Sequence, residues 1–323
     1  MRLDCRLAQL CGASPVDPQC SDALWPVGLV CAVAYNSVVL APIPIDDPLD
    51  PRLDDIRSLN SSDRRPDLPG GKGLVIAEGT LVGGRLLQSR CALSSVVGVP
   101  GKLERLLADP VAAAKLTEAT VPVYSVSREV LAQAVGFDVH RGLLITAHRP
   151  KALDPADIIA TARTVVVCEG VGDHENIGAI FRNAAGLGVD GVLFGAGCAD
   201  PLYRRSVRVS MGHVLTIPFA HFHPRPTTWQ RDLAGLTAAG FRIVSLTPNP
   251  QMPLLREALV DSDGAPFAKI ALMVGAEGPG LSEHAMRASD IRARIPMAAG
   301  TDSLNVATAA AIALYERQRS LLG

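Results

Sequence analysis

Two short, almost entirely apolar runs constrain the fold of this chain more than any other feature. They are TVVVC at Thr164–Cys168 and IALMV at Ile270–Val274. Strands that lack polar alternation are buried on both faces, as in parallel sheets covered by helices. Further strands are predicted at 191–194, 215–219, 241–246 and 291–295, and helices at 176–187, 203–211, 227–239, 282–288 and 306–315. Residues 160–323 therefore predict an α/β domain with a mostly parallel sheet and helices on both faces.

A second alternation of strands and helices precedes this domain. Its predicted strands are 74–78, 92–97, 121–126 and 143–147, and its predicted helices are 51–59, 79–89, 100–107 and 127–135. This pattern predicts a small α/β domain over residues 46–150. Gly83 and Gly84 are expected to break the helix at 79–89, and Pro150 and Pro155 indicate a linker at 151–159.

The composition narrows the class of protein. Of the 323 residues, 48% are hydrophobic and only 4% are aromatic, which favours α/β layers over an aromatic-rich sandwich. The net charge of −1 gives no overall attraction to nucleic acid, so any RNA contact requires a local basic patch. The seven cysteines form no CxxC pair, so neither a metal site nor a disulfide framework is expected. Reduced thiols indicate a cytoplasmic protein.

Residues 1–45 differ from the rest of the chain. The segment 23–45 carries no charge and is long enough to span a membrane, but prolines at 26, 42 and 44 interrupt it. A poorly ordered extension is favoured, and no membrane association is expected. A signal peptide, or a start codon assigned too far upstream, are the alternatives.

A glycine-rich segment, VGAEGPGLS, follows the apolar strand at Ile270–Val274. Glycine allows positive φ and close approach of a ligand to the backbone, so Gly275 and Gly278 are candidate binding residues. The spacing is neither GxGxxG nor that of a P-loop. Glu277 lies within the turn. A plain tight turn is the alternative interpretation.

The segment 295–316 joins a strand to an alanine-rich helix through a loop. Ser303 is expected to be the N-cap of that helix. A helix with so little bulk can lie close to another backbone, as a cofactor cleft or a tight subunit contact requires, although a buried C-terminal helix is the plain alternative. Main-chain groups near Ile295, Met297 and Leu304 could complete a pocket for an adenine ring.

Two further segments carry candidate polar residues. Asn176 is expected to cap its helix, and Arg182 to lie on the helix surface. Arg204, Arg205 and Arg208 share a helix face and could bind phosphate, with a solvated surface as the alternative. Loops that follow parallel strands meet at one edge of a sheet, so the segments at 169–184, 273–282 and 295–316 are expected to lie close together, with Arg182, Glu277 and Asn305 converging there.

Taken together, and in the order in which they occur along the chain, these motifs resemble those of the SpoU-type (TrmH-like) RNA 2′-O-ribose methyltransferases of the SPOUT superfamily. Residues 176–184 are similar to the family motif NxGxxxRxA, and residues 275–282 to GxEGxGLS. Residues 295–309 are similar to IPM…SLNVxxA, and residues 208–212 match another family segment. The resemblance covers about residues 160–323. The preceding α/β domain resembles the family's ribosomal-protein-like substrate-binding domain in its position.

The resemblance implies a deep C-terminal trefoil knot, a homodimer formed through the knot, and structured rRNA or tRNA, not DNA, as substrate. S-adenosylmethionine is expected at Gly275, Gly278, Ile295, Met297 and Leu304. The implied catalytic arginine is Arg182, and the residues expected to position it, the ribose and the cofactor are Asn176, Glu277, Ser303 and Asn305. Arg204, Arg205 and Arg208 are expected to contact the RNA. A non-catalytic RNA-binding protein with the same knotted fold is the main alternative, and a different nucleotide-dependent α/β enzyme is a third.

Overall fold

The computed structural model describes residues 40–59, 73–223 and 225–322. Its first sheet contains β1 (Ile43–Ile45), β2 (Leu74–Glu78), β3 (Ala92–Gly98), β4 (Val123–Val126) and β5 (Leu143–His148). The strand order is β1-β4-β3-β5-β2. Strand β5 runs antiparallel to β2 and β3, whereas β4 pairs in parallel with β1 and β3. The first domain is therefore built on a mixed sheet.

Helices cover both faces of this first sheet. They are a 3₁₀ turn (Pro51–Ile56), α1 (Thr80–Leu87), α2 (Pro100–Leu107), α3 (Pro110–Glu118) and α4 (Arg128–Val135). Ile56 and Leu131 belong to a cluster on one face, and Leu86 and Leu103 to a cluster on the other. Apolar side chains on both sides of the strands account for this three-layer arrangement.

The second sheet contains six strands. They are β6 (Thr164–Cys168), β7 (Gly191–Phe194), β8 (Phe219–His221), β9 (Arg242–Leu246), β10 (Ile270–Val274) and β11 (Ile291–Ala293). Their order is β11-β9-β10-β6-β7-β8, and every neighbouring pair is parallel. All residues of β6 and β10 are buried. The predicted parallel sheet is confirmed, and it places the ends of all six strands at one edge, here called the carboxyl rim.

The helices of the second domain are α5 (Pro155–Thr161), α6 (His174–Gly186), α7 (Arg204–Val209), α8 (Leu233–Ala238), α9 (Leu255–Ala258), α10 (Glu283–Arg287) and α11 (Val306–Leu322). Two 3₁₀ turns lie at His213–Leu215 and Trp229–Asp232. Residues of α6 and α11, such as Phe181 and Ala313, pack in one core cluster, and Ile159 and Leu233 of α5 and α8 in another. Both faces of the sheet are thus covered, as expected from its apolar strands.

Two predicted boundaries need correction. The extension was expected to run to residue 45, but Ile43–Ile45 pairs in parallel with β4 and belongs to the first sheet; residues 1–39 lie outside the described residues. The predicted linker 151–159 overlaps α5, whose residues Ile158 and Ile159 are buried in the second domain. Pro155 occupies the first turn of that helix and Asp154 caps it.

Some predicted elements differ as well. Helix α1 continues through Gly83 and Gly84. The missing side chain at Gly83 leaves room for Ile145, since a Cβ there would lie 2.8 Å from the Ile145 Cδ1. Helix α3 was not predicted. The strand expected at 215–219 is a 3₁₀ turn followed by β8, and the helix expected at 227–239 starts as a 3₁₀ turn at Trp229.

Side chains join the two domains, and the described residues belong to one compact unit. Arg85 of α1 donates a hydrogen bond to the carbonyl oxygen of Met211. Arg149, at the end of the first sheet, forms a two-pronged ion pair with Asp200. Within residues 40–59, 73–223 and 225–322, no helix is long and apolar enough to cross a membrane. Most of the uncharged segment 23–45 lies outside these residues, and the cytoplasmic location stays a prediction.

Candidate active site

A cavity of about 310 Å³ opens at the carboxyl rim, beside the ends of β9 and β10. It is lined by Leu246, Thr247, Pro248, residues 274–280, Ile295, Met297, Ser303, Leu304, Val306 and Ala309. All five residues predicted to contact a cofactor are among them. The lining combines apolar residues such as Ile295, Met297 and Leu304 with a few polar ones, which is the usual composition of a small-molecule site.

Residues 275–280, here called the glycine loop, form one wall of this cavity. Ala276 and Gly280 exchange two main-chain hydrogen bonds of 3.1 and 3.0 Å, which close the neck of the loop. Gly278 has φ +84°, a left-handed conformation that favours glycine. A Cβ on Gly275 would lie 2.2 Å from the carbonyl carbon of Gly280. The glycines are therefore required by the close approach of the two sides of the loop.

Three polar side chains from three separate motifs meet at the tip of the glycine loop. Asn176 donates from Nδ2 to Glu277 Oε1 at 2.8 Å. Asn305 Nδ2 lies 2.8 Å from Asn176 Oδ1 and 3.1 Å from Glu277 Oε1. We call this group the polar triangle (Asn176, Glu277 and Asn305). It confirms that α6, the glycine loop and the start of α11 converge at the rim.

Two predicted helix caps need correction. Asn305, not Ser303, caps α11, because its Oδ1 accepts hydrogen bonds from the main-chain nitrogens of Ala307 at 3.0 Å and Thr308 at 3.1 Å. Asp173, not Asn176, caps α6. Asn176 is 7% exposed and lies in the first turn, where its side chain is available to Glu277. Ser303 is exposed and lines the cavity.

Arg182 lies on α6 six residues after Asn176, which places it about 9 Å farther along the helix axis and on a different face. Its side chain is exposed and makes no hydrogen bond or ion pair with any residue that the structure describes. Its charge acts on His213, whose pKa is lowered by burial first and then by Arg85 and Arg182. Arg182 therefore lies near enough to His213 to influence it, and the predicted meeting of Arg182 with Glu277 and Asn305 is not made through hydrogen bonds within one chain.

The three arginines predicted to contact RNA do not form one cluster. Arg204 lies 4.0 Å from Glu78 of the first domain, and its guanidinium is stacked 4.7 Å above the ring of Phe137. Arg205 and Arg208 are exposed, and Arg205 forms a 3.7 Å surface ion pair with Glu175. The predicted phosphate clamp is thus divided, because Arg204 is used in the contact between the domains.

Glu169 is a functional candidate that the sequence analysis did not identify. It follows β6 directly, is 8% exposed, and accepts hydrogen bonds from Trp229, Gln230 and Ser282. A lone carboxylate at the end of an apolar strand is the only signal in the sequence, since its partners lie 60 to 113 residues away. Leu246, Thr247 and Pro248 were missed too, although the first ends the predicted strand 241–246 and the other two follow it, so all three belong to the rim.

A second cavity of about 450 Å³ lies farther along the rim, next to the first domain. Its lining includes Arg149, His174, Cys198, Asp200 and His221. Burial raises the pKa of Cys198 to about 11, so this thiol is protonated at neutral pH. Among the described residues that line it, Arg149 is the one permanent cation, and Arg149 is already paired with Asp200.

The family is decided by similarity to known proteins. Residues 163–315 match the SpoU rRNA Methylase family. An uncharacterized tRNA/rRNA methyltransferase of Mycobacterium tuberculosis is 54% identical over 274 residues, which cover 85% of this chain and 91% of that protein. This chain belongs to the SpoU rRNA methylase family. The predicted family is confirmed, and the chain is therefore an RNA methyltransferase of that family.

Two further relatives extend this result. A crystal structure of an AdoMet-bound rRNA methyltransferase from Sinorhizobium meliloti is 25% identical, has a TM-score of 0.71, and covers 87% of this chain and 98% of its own. The 23S rRNA (guanosine(2553)-2'-O)-methyltransferase RlmP of Bacillus subtilis is 25% identical over 198 residues, or 61% of this chain and 73% of that protein. S-adenosylmethionine, the predicted cofactor, is confirmed at the level of the family.

Proposed function

We propose that this protein transfers a methyl group from S-adenosylmethionine to a ribose 2′-hydroxyl of rRNA or tRNA. The observation that carries the proposal is the polar triangle, which joins the three motif segments at the wall of the cavity. The name of the Bacillus subtilis relative specifies 2′-O-methylation. The solved structure of an RNA 2'-O ribose methyltransferase supports it as well, with 25% identity, a TM-score of 0.65, and coverage of 87% of this chain and 100% of its own.

The residues of the first cavity suit the cofactor. Main-chain groups at Gly275, Ile295 and Leu304 would hold the adenosine part, and the side chains of Met297 and Val306 would contact it through apolar surface. When bound, S-adenosylmethionine supplies an electrophilic methyl group on a sulfonium. The chain's own task is then to place the ribose oxygen in line with that methyl group and to assist loss of the hydroxyl proton.

Arg182 is assigned to the substrate side of the reaction. A guanidinium stays protonated in proteins and binds phosphate through two parallel hydrogen bonds. Arg182 has no partner among the described residues, so it is available to hold the phosphate next to the target ribose and to stabilise the oxygen as its proton leaves. Asn176, Glu277 and Asn305 would position the ribose and the glycine loop, and Ser303 would contribute a hydroxyl at the edge of the cavity.

The separation of Arg182 from the polar triangle supports a homodimer in which Arg182 of one protomer acts at the partner's cofactor. Exposed apolar side chains on α11, Tyr315 at 58% and Leu322 at 86%, are suited to burial against a second copy. We propose that the dimer forms through this helix and that the segment leading into it is threaded as a deep trefoil knot. Both statements can be tested by a crystal structure of the purified protein.

Residues 46–150 are proposed to form the RNA substrate domain, extended by β1 and joined to the methyltransferase domain, proposed as residues 160–323, by a connection that includes α5. Arg205 and Arg208 remain proposed RNA contacts because both are exposed. Arg204 is left out of this proposal because it packs between Glu78 and Phe137. The proposed substrate is a structured rRNA or tRNA that both domains contact.

The test uses the purified protein, S-adenosylmethionine with a labelled methyl group, and rRNA or tRNA from a strain that lacks the gene. A 2′-O-methyl group blocks alkaline cleavage of the next phosphodiester, so the product should appear as an alkali-resistant site. We expect no product from Arg182→Ala while calorimetry still detects cofactor binding. Arg231→Ala removes another exposed arginine and should stay active. Label on a base instead of the ribose, or full turnover by Arg182→Ala, would contradict the proposal.

A further inference from the structure

The glycine loop is fixed at three points. Its neck is closed by the main-chain bonds between Ala276 and Gly280, and its tip is held by the polar triangle. The third point is Ser282, two residues after the loop and the N-cap of α10, where the Ser282 Oγ accepts from the nitrogen of Ala285 at 3.1 Å. Ser282 is in turn bound by Glu169.

Glu169 binds Ser282 through both of its carboxylate oxygens. The main-chain nitrogen of Ser282 donates to Oε2 at 2.7 Å, and the Ser282 hydroxyl donates to Oε1 at 2.9 Å. Trp229 Nε1 also donates to Oε1, at 2.8 Å, and Gln230 Nε2 does so at 3.4 Å. The main-chain nitrogen of Glu169 donates to the carbonyl oxygen of Val274, the residue before the loop, at 2.9 Å. Glu169 therefore contacts the chain on both sides of the glycine loop.

The surroundings of Glu169 are built for a carboxylate. An indole, a main-chain amide and a side-chain amide can only donate here. The Ser282 hydroxyl donates as well, because an ionised carboxylate oxygen can only accept, and it accepts from Ala285 at the same time. Glu169 makes no ion pair within the described part of the chain. A neutral amide at this position would place a donor opposite another donor. The network thus depends on the full acceptor capacity of the glutamate side chain.

Trp229 gives this network a rigid support. Its side chain is fully buried, and its ring is stacked against Phe222 with a centroid separation of 6.1 Å. Trp229 lies in the 3₁₀ turn after β8, far in sequence from both Glu169 and Ser282. Because the ring is fully buried and stacked, its Nε1 keeps the Glu169 carboxylate in one orientation. The carboxylate in turn fixes Ser282 through two hydrogen bonds.

We infer that Glu169 is a positioning residue for the cofactor. It does not line the cavity, and it acts through Ser282 to keep the glycine loop in the shape that binds S-adenosylmethionine. This inference rests on the proposed function only for the identity of the cofactor. It does not depend on which RNA, or which atom of the RNA, receives the methyl group.

The test compares Glu169→Gln with the unchanged protein. Calorimetry with S-adenosylmethionine should show a Kd raised about tenfold or more, which is the scale expected when a charged acceptor faces an unpaired donor. The KM for S-adenosylmethionine should rise in parallel, and kcat at saturating cofactor should stay within about twofold. Trp229→Phe keeps the packed ring and removes one donor, so its Kd should rise by a smaller factor. This second variant decides the question if Glu169→Gln does not fold.

Two comparisons separate positioning from general stability. Thr146→Val removes buried hydrogen bonds between Ser95 and Thr146 in the first domain; it should lower the melting temperature and leave the Kd unchanged. Ser282→Thr keeps a hydroxyl and should bind the cofactor better than Ser282→Ala. An unchanged Kd in folded Glu169→Gln and Trp229→Phe, or a loss confined to kcat, would overturn the inference. A base-methylated product would instead refute the proposed function and leave the shift in Kd in place.

Discussion

The two sheets of this protein treat their buried polar groups differently. In the first sheet, Ser95 and Thr146 lie on neighbouring antiparallel strands and bond to each other at 2.9 Å, so their polar atoms are satisfied within the sheet. In the second sheet, Glu169 and Asn176 follow the end of β6 and are bonded to residues of other loops. Mixed strand directions send successive loops to opposite edges, whereas parallel strands bring theirs to one rim. The direction of the strands therefore favours the second domain as the place of the proposed cofactor site.

The largest expected effect that tests this contrast is that of Gly275→Ala. The new Cβ would lie 2.2 Å from the main chain of Gly280 and Leu281, so the neck of the glycine loop cannot keep its shape. We expect affinity for S-adenosylmethionine to fall by about 1,000-fold, or about 4 kcal/mol. Calorimetry measures this directly.

The matched control is Gly84→Ala in α1 of the first domain, where a Cβ meets no atom within 4 Å. Alanine is the better helix former, so this variant should be as stable as the parent or more so, by up to about 1 kcal/mol. Tight cofactor binding by Gly275→Ala would mean that the glycine loop does not shape the cavity, and the contrast between the sheets would lose its main support.

Asn305→Ala comes next in expected size. It removes two hydrogen bonds of the polar triangle and the cap of α11. We expect kcat/KM to fall about 100-fold, while the lost cap lowers stability by about 1 kcal/mol. Asp109→Ala removes the cap of α3 in the first domain and should cost similar stability with no loss of activity. Equal activity losses in the two variants would show that capping alone explains the effect.

The sequence allowed the rim to be predicted because its parts are local. The apolar strands β6, β7 and β10 have the predicted bounds, and the glycines mark the loop after β10. The choice between Ser303 and Asn305 as helix cap was not readable, since both are good caps and only the register of the loop decides between them. Pro155 was interpreted as part of a linker, although proline is equally suited to a first helical turn.

The remaining errors have a tertiary origin. The network of Glu169 joins residues from β6, the turn at Trp229 and the N-terminus of α10, and no sequence spacing links them. Arg204 was grouped with Arg205 and Arg208 by helical periodicity. Glu78 and Phe137 of the first domain, however, contact Arg204 and not the other two. Local patterns predict where loops lie, whereas partners from another element decide what each side chain does there.

Arg317 offers a test at the opposite, amino-terminal edge of the second sheet. It is 1% exposed and donates to Thr164 Oγ1 at 3.3 Å and to the Ala268 carbonyl oxygen at 3.1 Å; its Nη1 finds no hydrogen-bond partner in the part of the chain that the structure describes. Arg317→Ala opens a cavity and should reduce the free energy of unfolding by about 2 kcal/mol. Arg317→Met fills the space without burying a charge and should stay within about 1 kcal/mol of the parent.

Urea denaturation gives both values, and the affinity for S-adenosylmethionine provides the control. If only residues of the carboxyl rim bind the cofactor, neither variant should alter that affinity while the protein is folded. A methionine as costly as alanine would show that the guanidinium hydrogen bonds, and not the volume, hold α11 at this edge.

His213 provides the smallest and most local test, at the junction of the two domains. Burial, Arg85 and Arg182 lower its pKa below the ordinary value of 6.5. Below that pH the unfolded chain binds more protons at this position than the folded one, so the contribution of His213 to stability falls as the pH decreases and is restored as it rises. A titration followed by NMR should place the pKa below 6.5, and Arg182→Ala should move it upward, whereas Arg231→Ala should not. An unmoved pKa in Arg182→Ala would show that the charge of Arg182 does not act on His213, and burial and Arg85 would then account for the lowered pKa.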